Sequence, residues 1–197
     1  MQWLDVFGPP GVGKSTLCDE LWHPHAIDWR NVEDIEIPRE WNPFLDCVNR
    51  LLVKVKDHWS YDRCLGMVNR SLCKMLVVQS NQRDAIYVQT GLAQRGLGFG
   101  WRLKDPEDIR EYYELMPTSV GVVSLWAPVE VMQERNRLPH RVDKGENRDF
   151  MVPLMVRPRE IALEVLRKRG VPILELDTRE PPYSLRNKLL VFRDANS

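Results

Sequence analysis

The spacing of apolar residues predicts strands alternating with helices. Short apolar runs bounded by turn-forming or polar residues have the character of buried strands; they lie at residues 3–7, 85–89, 120–125 and 171–176. Apolar residues recur at steps of three and four between and after these runs, which predicts amphipathic helices; these are expected at 15–22, 42–59, from a cap at Ser60 onward, and at 105–116, 129–136, 159–169 and 183–192. Short extended pieces are also indicated at 26–29 and 35–37. In total, about five strands are expected to alternate with helices. This alternation is typical of a parallel sheet covered on both faces.

Length and composition favour one globular domain spanning residues 1–197. The chain is 43% hydrophobic and 28% charged, which is typical of a folded domain with a sizeable core. Lys and Arg total 28, as do Asp and Glu. This zero net charge argues against a protein held on nucleic acid by bulk electrostatics, although a local basic groove stays open.

The four cysteines form no C-x-x-C pair, so we expect buried, reduced thiols in a cytoplasmic protein. The chain starts directly on a strand pattern, without a charged leader or a long apolar stretch. We therefore expect neither secretion nor a membrane span.

A glycine-rich stretch follows the first predicted strand and precedes the first predicted helix. It fits the phosphate-binding pattern G-x-x-x-x-G-K-[ST]; its residues, with the one that follows, are Gly8, Pro9, Pro10, Gly11, Val12, Gly13, Lys14, Ser15 and Thr16. In this pattern backbone N–H groups surround a nucleotide's phosphates, Lys14 reaches the β and γ phosphates, and the Ser15 hydroxyl binds Mg²⁺. The alternative is a simple turn rich in Gly and Pro.

Basic residues concentrate after the helix predicted at 129–136. Arg135, Arg137 and Arg141 belong to this group, interrupted by several acids. A mobile arginine that reaches a transferring phosphoryl group accelerates its transfer, so the segment 135–150 has the composition of a lid that closes over phosphates and excludes water. A solvated charged loop is the alternative.

Two other segments are candidates for the acceptor side of the site. The segment 23–41 is either a solvated loop whose Trp29 and Trp41 pack into the core, or part of the acceptor site. In the second case it supplies an aromatic surface for a ring and a carboxylate that accepts a hydroxyl proton. The charged acceptor-side candidates in this segment are Asp28, Asp34, Glu36 and Arg39. The run 90–100 contains four glycines and follows a strand, where α/β sheets place ligands. It predicts either a mobile or closely approached loop of the site, or a flexible surface loop.

Together these features resemble the small P-loop kinases of the nucleoside and nucleotide kinase superfamily, especially the thymidylate-kinase-like branch. The resemblance is carried by residues 8–15, the strand ending at Gln89, and the helix leading to Arg135-Asn136-Arg137 and Arg141. It implies a three-layer α/β fold with a five-stranded parallel sheet, an arginine-rich lid, an acceptor-side region at about 23–83, and ATP and Mg²⁺ as cofactors. The run 91–97, including Gln94 and Arg95, and the compact lid look most like those of phage kinases that phosphorylate 5-hydroxymethyluracil in DNA. This resemblance implies the host cytoplasm.

The chain departs from that family at Gln89, where similar kinases place an acid. An amide cannot act as a general base, so the acid comes from elsewhere, with Asp34, Glu36 and Asp28 as candidates, or the reaction relies on positioning and charge. Three functions stay open: a kinase for a hydroxymethylated base in DNA, a soluble nucleoside or nucleotide kinase, and a nucleotide-dependent switch or ATPase without an acceptor.

Overall fold

Four parallel strands form a single sheet in the part of the chain that the structure describes. A computed structural model of the protein describes residues 3–21, 37–55, 58–80, 86–89, 91–103, 105–118, 120–138 and 149–196. The strands are β1 (Trp3–Phe7), β2 (Ile86–Gln89), β3 (Gly121–Trp126) and β4 (Ile173–Asp177), and their order is β2-β1-β3-β4. The expected fifth strand is not among the described residues; the extended piece expected at 26–29 and most of that at 35–37 lie outside them.

The chain moves from β1 to β2 on one side of the sheet and then crosses to β3 on the other. Asp5 is therefore opposite Val88 on one neighbouring strand and Val122 on the other. In such a sheet, the point between β1 and β3 at which the strand order reverses leaves a crevice at the carboxyl ends of the strands. Open α/β folds bind ligands in this crevice. The glycine-rich loop after β1 lies at this end of the sheet.

Nine α-helices occupy the described residues. They are α1 (Lys14–Leu21), α2 (Asn42–Lys54), α3 (His58–Ser80), α4 (Leu92–Gly100), α5 (Pro106–Leu115), α6 (Val129–Asn136), α7 (Met151–Leu154), α8 (Val156–Lys168) and α9 (Pro182–Ala195). The expected bounds of α6 are confirmed, and Asp105 caps α5 by accepting a hydrogen bond from the Glu107 N–H. The second helix of the expected hairpin begins at His58, so the predicted cap at Ser60 is wrong and Trp59 belongs to α3.

The predicted loop at 90–100 is instead largely the helix α4. Its glycines lie where neighbouring elements come close. A Cβ at Gly96 would lie 2.5 Å from the Tyr113 hydroxyl, and one at Gly100 would lie 2.6 Å from a Pro158 side-chain carbon. The prediction of a loop is therefore wrong, and the glycines are approached by side chains of neighbouring helices.

Two apolar cores cover the two faces of the sheet. Trp3 and Phe7 point into the larger core, which gathers side chains of α2, α3, α4, α5 and α8. Leu4 and Val6 point into the smaller core with side chains of α1, α6 and α9. Period-two alternation along β1 explains this division. The result is the expected three-layer α/β arrangement.

Candidate nucleotide site

The glycine-rich loop leaves β1 at Gly8 and enters α1 at Lys14, as the motif predicts. Gly11 and Gly13 have φ angles of 77° and 95°, in the left-handed region that favours glycine. A Cβ at Gly11 would lie 2.5 Å from the Met132 carbonyl oxygen and 2.7 Å from Asn136 Nδ2. The loop is therefore pressed against α6, and its turns need residues without side chains.

Lys14 folds back over the loop that precedes it. Its Nζ donates hydrogen bonds to the carbonyl oxygens of Gly8 at 2.6 Å and Pro9 at 2.9 Å. Ser15 and Thr16 are exposed in the first turn of α1, where backbone N–H groups favour anions. The Val12 side chain is buried in the smaller core, so Val12 can offer a ligand only its backbone.

A cavity of about 370 Å³ opens beside the loop. Its walls come from the loop and α1, the end of α6, and the segment after β4; they include Gly13, Thr16, Arg135, Thr178, Glu180 and Leu185. Its volume lies in the range of small-molecule sites. The mixture of apolar walls and a few polar groups suits a nucleoside-sized ligand.

Arg135 stands at the edge of this cavity in a fixed orientation. Its Nη1 donates to Thr178 Oγ1 at 2.9 Å and its Nη2 to the Thr178 carbonyl oxygen at 3.0 Å. Both bonds lie on one edge of the planar guanidinium. The flat face of an arginine guanidinium can stack on an aromatic ring. Because Thr178 binds only the edge of the guanidinium, Arg135 is suited to contact a nucleobase.

The other arginines of the expected lid differ from Arg135. Arg137 is exposed and forms an ion pair with Asp149, with 2.9 Å between Nε and Oδ2. This pair joins the two described ends of the expected lid. Arg141 lies outside the described residues, as does most of the segment around it, so the lid stays a prediction.

Two hydrogen bonds join α4 to the chain around the end of β1, one to Asp5 in β1 and one to Gly8 at the start of the loop. The buried Asp5 accepts one from the Ala93 N–H, at 2.8 Å from Oδ2. Gln94 Oε1 accepts one from the Gly8 N–H at 2.9 Å. Gln94, expected on the acceptor side, therefore contacts the glycine-rich loop itself.

Burial raises the pKa of Asp5 from 3.8 to about 7, although the Ala93 N–H and the Arg95 charge act to lower it. The Asp5 Oδ1 atom has no hydrogen-bond partner among the described residues. A Cβ at Gly91 would lie 2.6 Å from each carboxylate oxygen. The first turn of α4 therefore closes directly over this carboxyl group.

Arg95 is half-buried between α3 and α4. Its Nε donates to Ser71 Oγ at 2.8 Å, and Ser71 Oγ in turn donates to the Met67 carbonyl oxygen at 3.1 Å. Burial lowers the Arg95 pKa, but an arginine keeps its charge at neutral pH. Among the described residues, the Ser71 hydroxyl is the hydrogen-bond partner of this guanidinium.

The remaining acceptor-side candidates have mixed outcomes. Trp41 is only 7% exposed and packs in the larger core, so its predicted alternative as a platform for a ring is wrong. Arg39 is exposed. Gln89 ends β2 opposite Val6, and its side chain is not described. Asp28, Trp29, Asp34 and Glu36 lie outside the described residues.

Sequence patterns missed Asp5, Ser71, Thr178 and Glu180. A carboxyl group at the centre of an apolar strand was a signal for Asp5, because a buried charge needs a specific partner. Thr178 and Glu180 follow the carboxyl end of β4, where α/β sheets place ligands.

No described helix has the length and hydropathy needed to cross a membrane. The described residues also contain no cluster of three or more His, Cys, Asp or Glu side chains placed to hold a metal.

No protein-family model and no curated protein sequence matches this chain. Solved structures do resemble it. Deoxyadenosine kinase from M. mycoides with bound dATP has a TM-score of 0.57 and 16% identity, covering 100% of both chains. The same enzyme with the products dCMP and dCDP has a TM-score of 0.57 and 12% identity, covering 98% of this chain and 99% of the other. At such identities the likeness shows the fold alone: this chain has an α/β fold resembling that of deoxynucleoside kinases.

Proposed function

We propose that this protein transfers the γ-phosphoryl group of ATP to a hydroxyl of a nucleoside or nucleotide. The observation that carries the proposal is the loop of residues 8–13. Its two glycines with positive φ lead into the N-terminus of α1 beside a nucleoside-sized cavity. The likeness to deoxyadenosine kinases supports the same function.

The donor nucleotide fits the loop and the cavity together. The backbone N–H groups of the loop and of the first turn of α1 would bind its phosphates, and the Ser15 hydroxyl would bind the accompanying Mg²⁺. Arg135, held by Thr178, would stack on the base. The bound Mg²⁺ would neutralise charge that develops on the phosphates.

Lys14 exchanges its partners when a nucleotide binds. Its ammonium now contacts two carbonyl oxygens of the loop, and phosphate oxygens are stronger acceptors for it because they carry charge. The lysine would then stabilise the negative charge of the transferring group.

The acceptor would lie on the side of Arg95. The fork of an Arg guanidinium matches a carbonyl, carboxylate or phosphate oxygen, and the Nε bond to Ser71 fixes its direction. Asp5 is too deeply buried to touch an acceptor, with 2% exposure. The base therefore comes from Asp28, Asp34 or Glu36, or phosphoryl transfer proceeds by positioning alone, with Arg137 and Arg141 in the lid.

A free nucleoside or nucleotide is the better supported acceptor. The solved neighbours are kinases for a nucleoside, and the chain is electrically neutral. A hydroxymethylated base in DNA is the competing acceptor that the sequence resemblance implied. It is tested in the same assay.

The experiment incubates the protein with γ-labelled ATP, Mg²⁺ and separate acceptors: the four deoxynucleosides, their monophosphates, and DNA containing 5-hydroxymethyluracil. We expect label in a free nucleoside or nucleotide. Label that appears only in DNA would show that the acceptor is the hydroxymethylated base and not a free nucleoside or nucleotide. ADP release at the same rate with and without an acceptor would indicate an ATPase.

Replacing Lys14 tests the assignment of the loop. We expect Lys14→Ala to lower kcat by at least about 100-fold, because the transferring phosphoryl group loses its cation. Lys168→Ala is the matched control, since Lys168 is exposed and pairs with Glu164 on the same helix. Wild-type turnover in the Lys14 variant would contradict the assignment.

A further inference from the structure

We infer that Asp5 and Gln94 form a clamp that fixes α4 to the phosphate loop and thereby positions the acceptor for transfer. The clamp consists of the Gly8 N–H to Gln94 bond and the Ala93 N–H to Asp5 bond. The inference rests on the proposed function, because the clamp matters for catalysis only if α4 carries an acceptor-binding group. Both residues are positioning residues.

The two bonds run in opposite directions between α4 and the continuous stretch of residues 5–8. The loop donates to α4 at Gly8, whereas α4 donates to β1 at Ala93. Ala93 and Gln94 are consecutive in the first turn of α4, so the bonds fix both the position and the rotation of this helix. Neither bond belongs to a regular helix or sheet.

The clamp is enclosed on the side of β1. Gly91 packs against the carboxyl group so closely that a Cβ would overlap both oxygens. The hydroxyl groups of Tyr112 and Tyr113 donate to the Leu92 and Ala93 carbonyl oxygens, at 2.9 Å and 2.8 Å. The first turn of α4 is therefore fixed by contacts with β1 on one side and with α5 on another.

This arrangement transmits the position of the loop to Arg95. Arg95 is the next residue after Gln94, so a rotation of α4 that broke the Gly8 bond would also move its guanidinium. Phosphoryl transfer depends on alignment of donor and acceptor, and a displacement of about 1 Å is costly in rate. Nucleotide binding depends mainly on loop amides beyond Gly8, so it is expected to change less.

Three variants separate these effects. Gln94→Ala removes the acceptor oxygen, Gln94→Glu keeps an oxygen at the same reach, and Gly98→Ala alters the same helix where a Cβ meets nothing within 4 Å. We expect Gln94→Ala to lower kcat about tenfold while the Kd for MgATP changes less than about twofold. Gln94→Glu should recover kcat to within about threefold but raise the Kd, because its charge repels the triphosphate.

Amide exchange at Gly8, measured by NMR, tests the clamp without turnover. We expect exchange to accelerate about tenfold in Gln94→Ala and to stay near the wild-type rate in Gln94→Glu and Gly98→Ala. If wild-type protein transfers no phosphoryl group but Gly8 exchange behaves this way, the proposed function fails and the clamp stands. An active Gln94→Ala variant with wild-type kcat, or unchanged Gly8 exchange in it, would overturn the inference.

Discussion

Asp5 shows how one buried carboxyl group links stability to pH. Its pKa in the folded protein is about 7, above the ordinary value of 3.8, because burial disfavours the charged form. The charges that face it are Arg95 on α4 and the ionisable hydroxyls of Tyr112 and Tyr113 on α5. The folded state therefore binds a proton more tightly than the unfolded state does.

We expect the Asp5 carboxyl group to make its full contribution to the free energy of unfolding below about pH 4. This contribution is lost as the pH rises from 4 through 7. The free energy of unfolding falls by at most about 4 kcal/mol over this range. Each of the roughly three pKa units that separate the folded and unfolded states accounts for about 1.36 kcal/mol. Urea unfolding of wild type and Asp5→Asn between pH 4.5 and 8 measures it, since the amide keeps an acceptor oxygen but does not titrate. Asp46→Asn, at an exposed position, is the control. Parallel pH profiles of wild type and Asp5→Asn would contradict the prediction.

Gly11 and Gly13 share a positive φ but differ in their surroundings. Gly13→Ala should cost only the strain of the left-handed backbone, about 1–2 kcal/mol, because nothing lies within 4 Å of its Cβ. Gly11→Ala adds overlap with Met132 and Asn136, so we expect a larger loss of unfolding free energy. Urea unfolding of both variants measures the difference. Equal losses would show that α6 does not constrain the loop.

The glycine-rich loop of residues 8–15 could be recognised in the sequence because its motif concerns consecutive residues. Lys14 and Arg135 could be named in advance, since one belongs to the motif and the other to a basic cluster. Asp5 and Gln94 form their contacts with residues more than 80 positions away. Such pairings depend on how the helix packs against the strand, which local patterns do not encode.

Helix α4 is an element whose composition and structure disagree. Three glycines within it, at positions 96, 98 and 100, lower its intrinsic helix propensity, which is why a loop was expected. Tertiary packing overrides that propensity. Gly96 and Gly100 admit the side chains of α5 and α8, and the buried Leu92, Leu97 and Phe99 join the larger core.

Substitutions along α4 distinguish a packed helix from a loop. We expect Gly98→Ala to raise the unfolding free energy by about 0.5–1 kcal/mol, because the position is open and alanine favours a helix. Gly96→Ala should lower it by about 1–3 kcal/mol, because its Cβ would overlap the rings of Tyr112 and Tyr113. Thermal unfolding of the two variants measures these changes. Similar, small effects at both positions would favour a loop.

At the scale of the whole molecule, hydrophobic periodicity predicted the class and layering of the fold. β1 and β3 are buried almost throughout, so their apolar runs gave clear signals. Pro172 indicates that the last strand starts late or lies at an edge. β4 starts at Ile173 and is the end strand of the sheet that the described residues form. The sequence predicts the number of strands less well than the class of fold. The extended pieces expected at 26–29 and 35–37 have no apolar run comparable to those of β1 and β3.

The balance of charge over the molecule bears on the choice of acceptor. A protein that binds DNA through several phosphates loses about 10³- to 10⁵-fold in affinity between 50 and 200 mM salt when six to ten contacts are made. This chain carries 28 basic and 28 acidic residues. A free nucleoside has no phosphate and a nucleoside monophosphate has one, so neither releases the counterions of several phosphates. We therefore expect the acceptor KM to change less than about threefold over this range. Initial rates at saturating ATP measure it, and the KM for ATP serves as the charged control. A steep rise in the acceptor KM with salt would instead indicate a polyanionic acceptor held in a local basic groove.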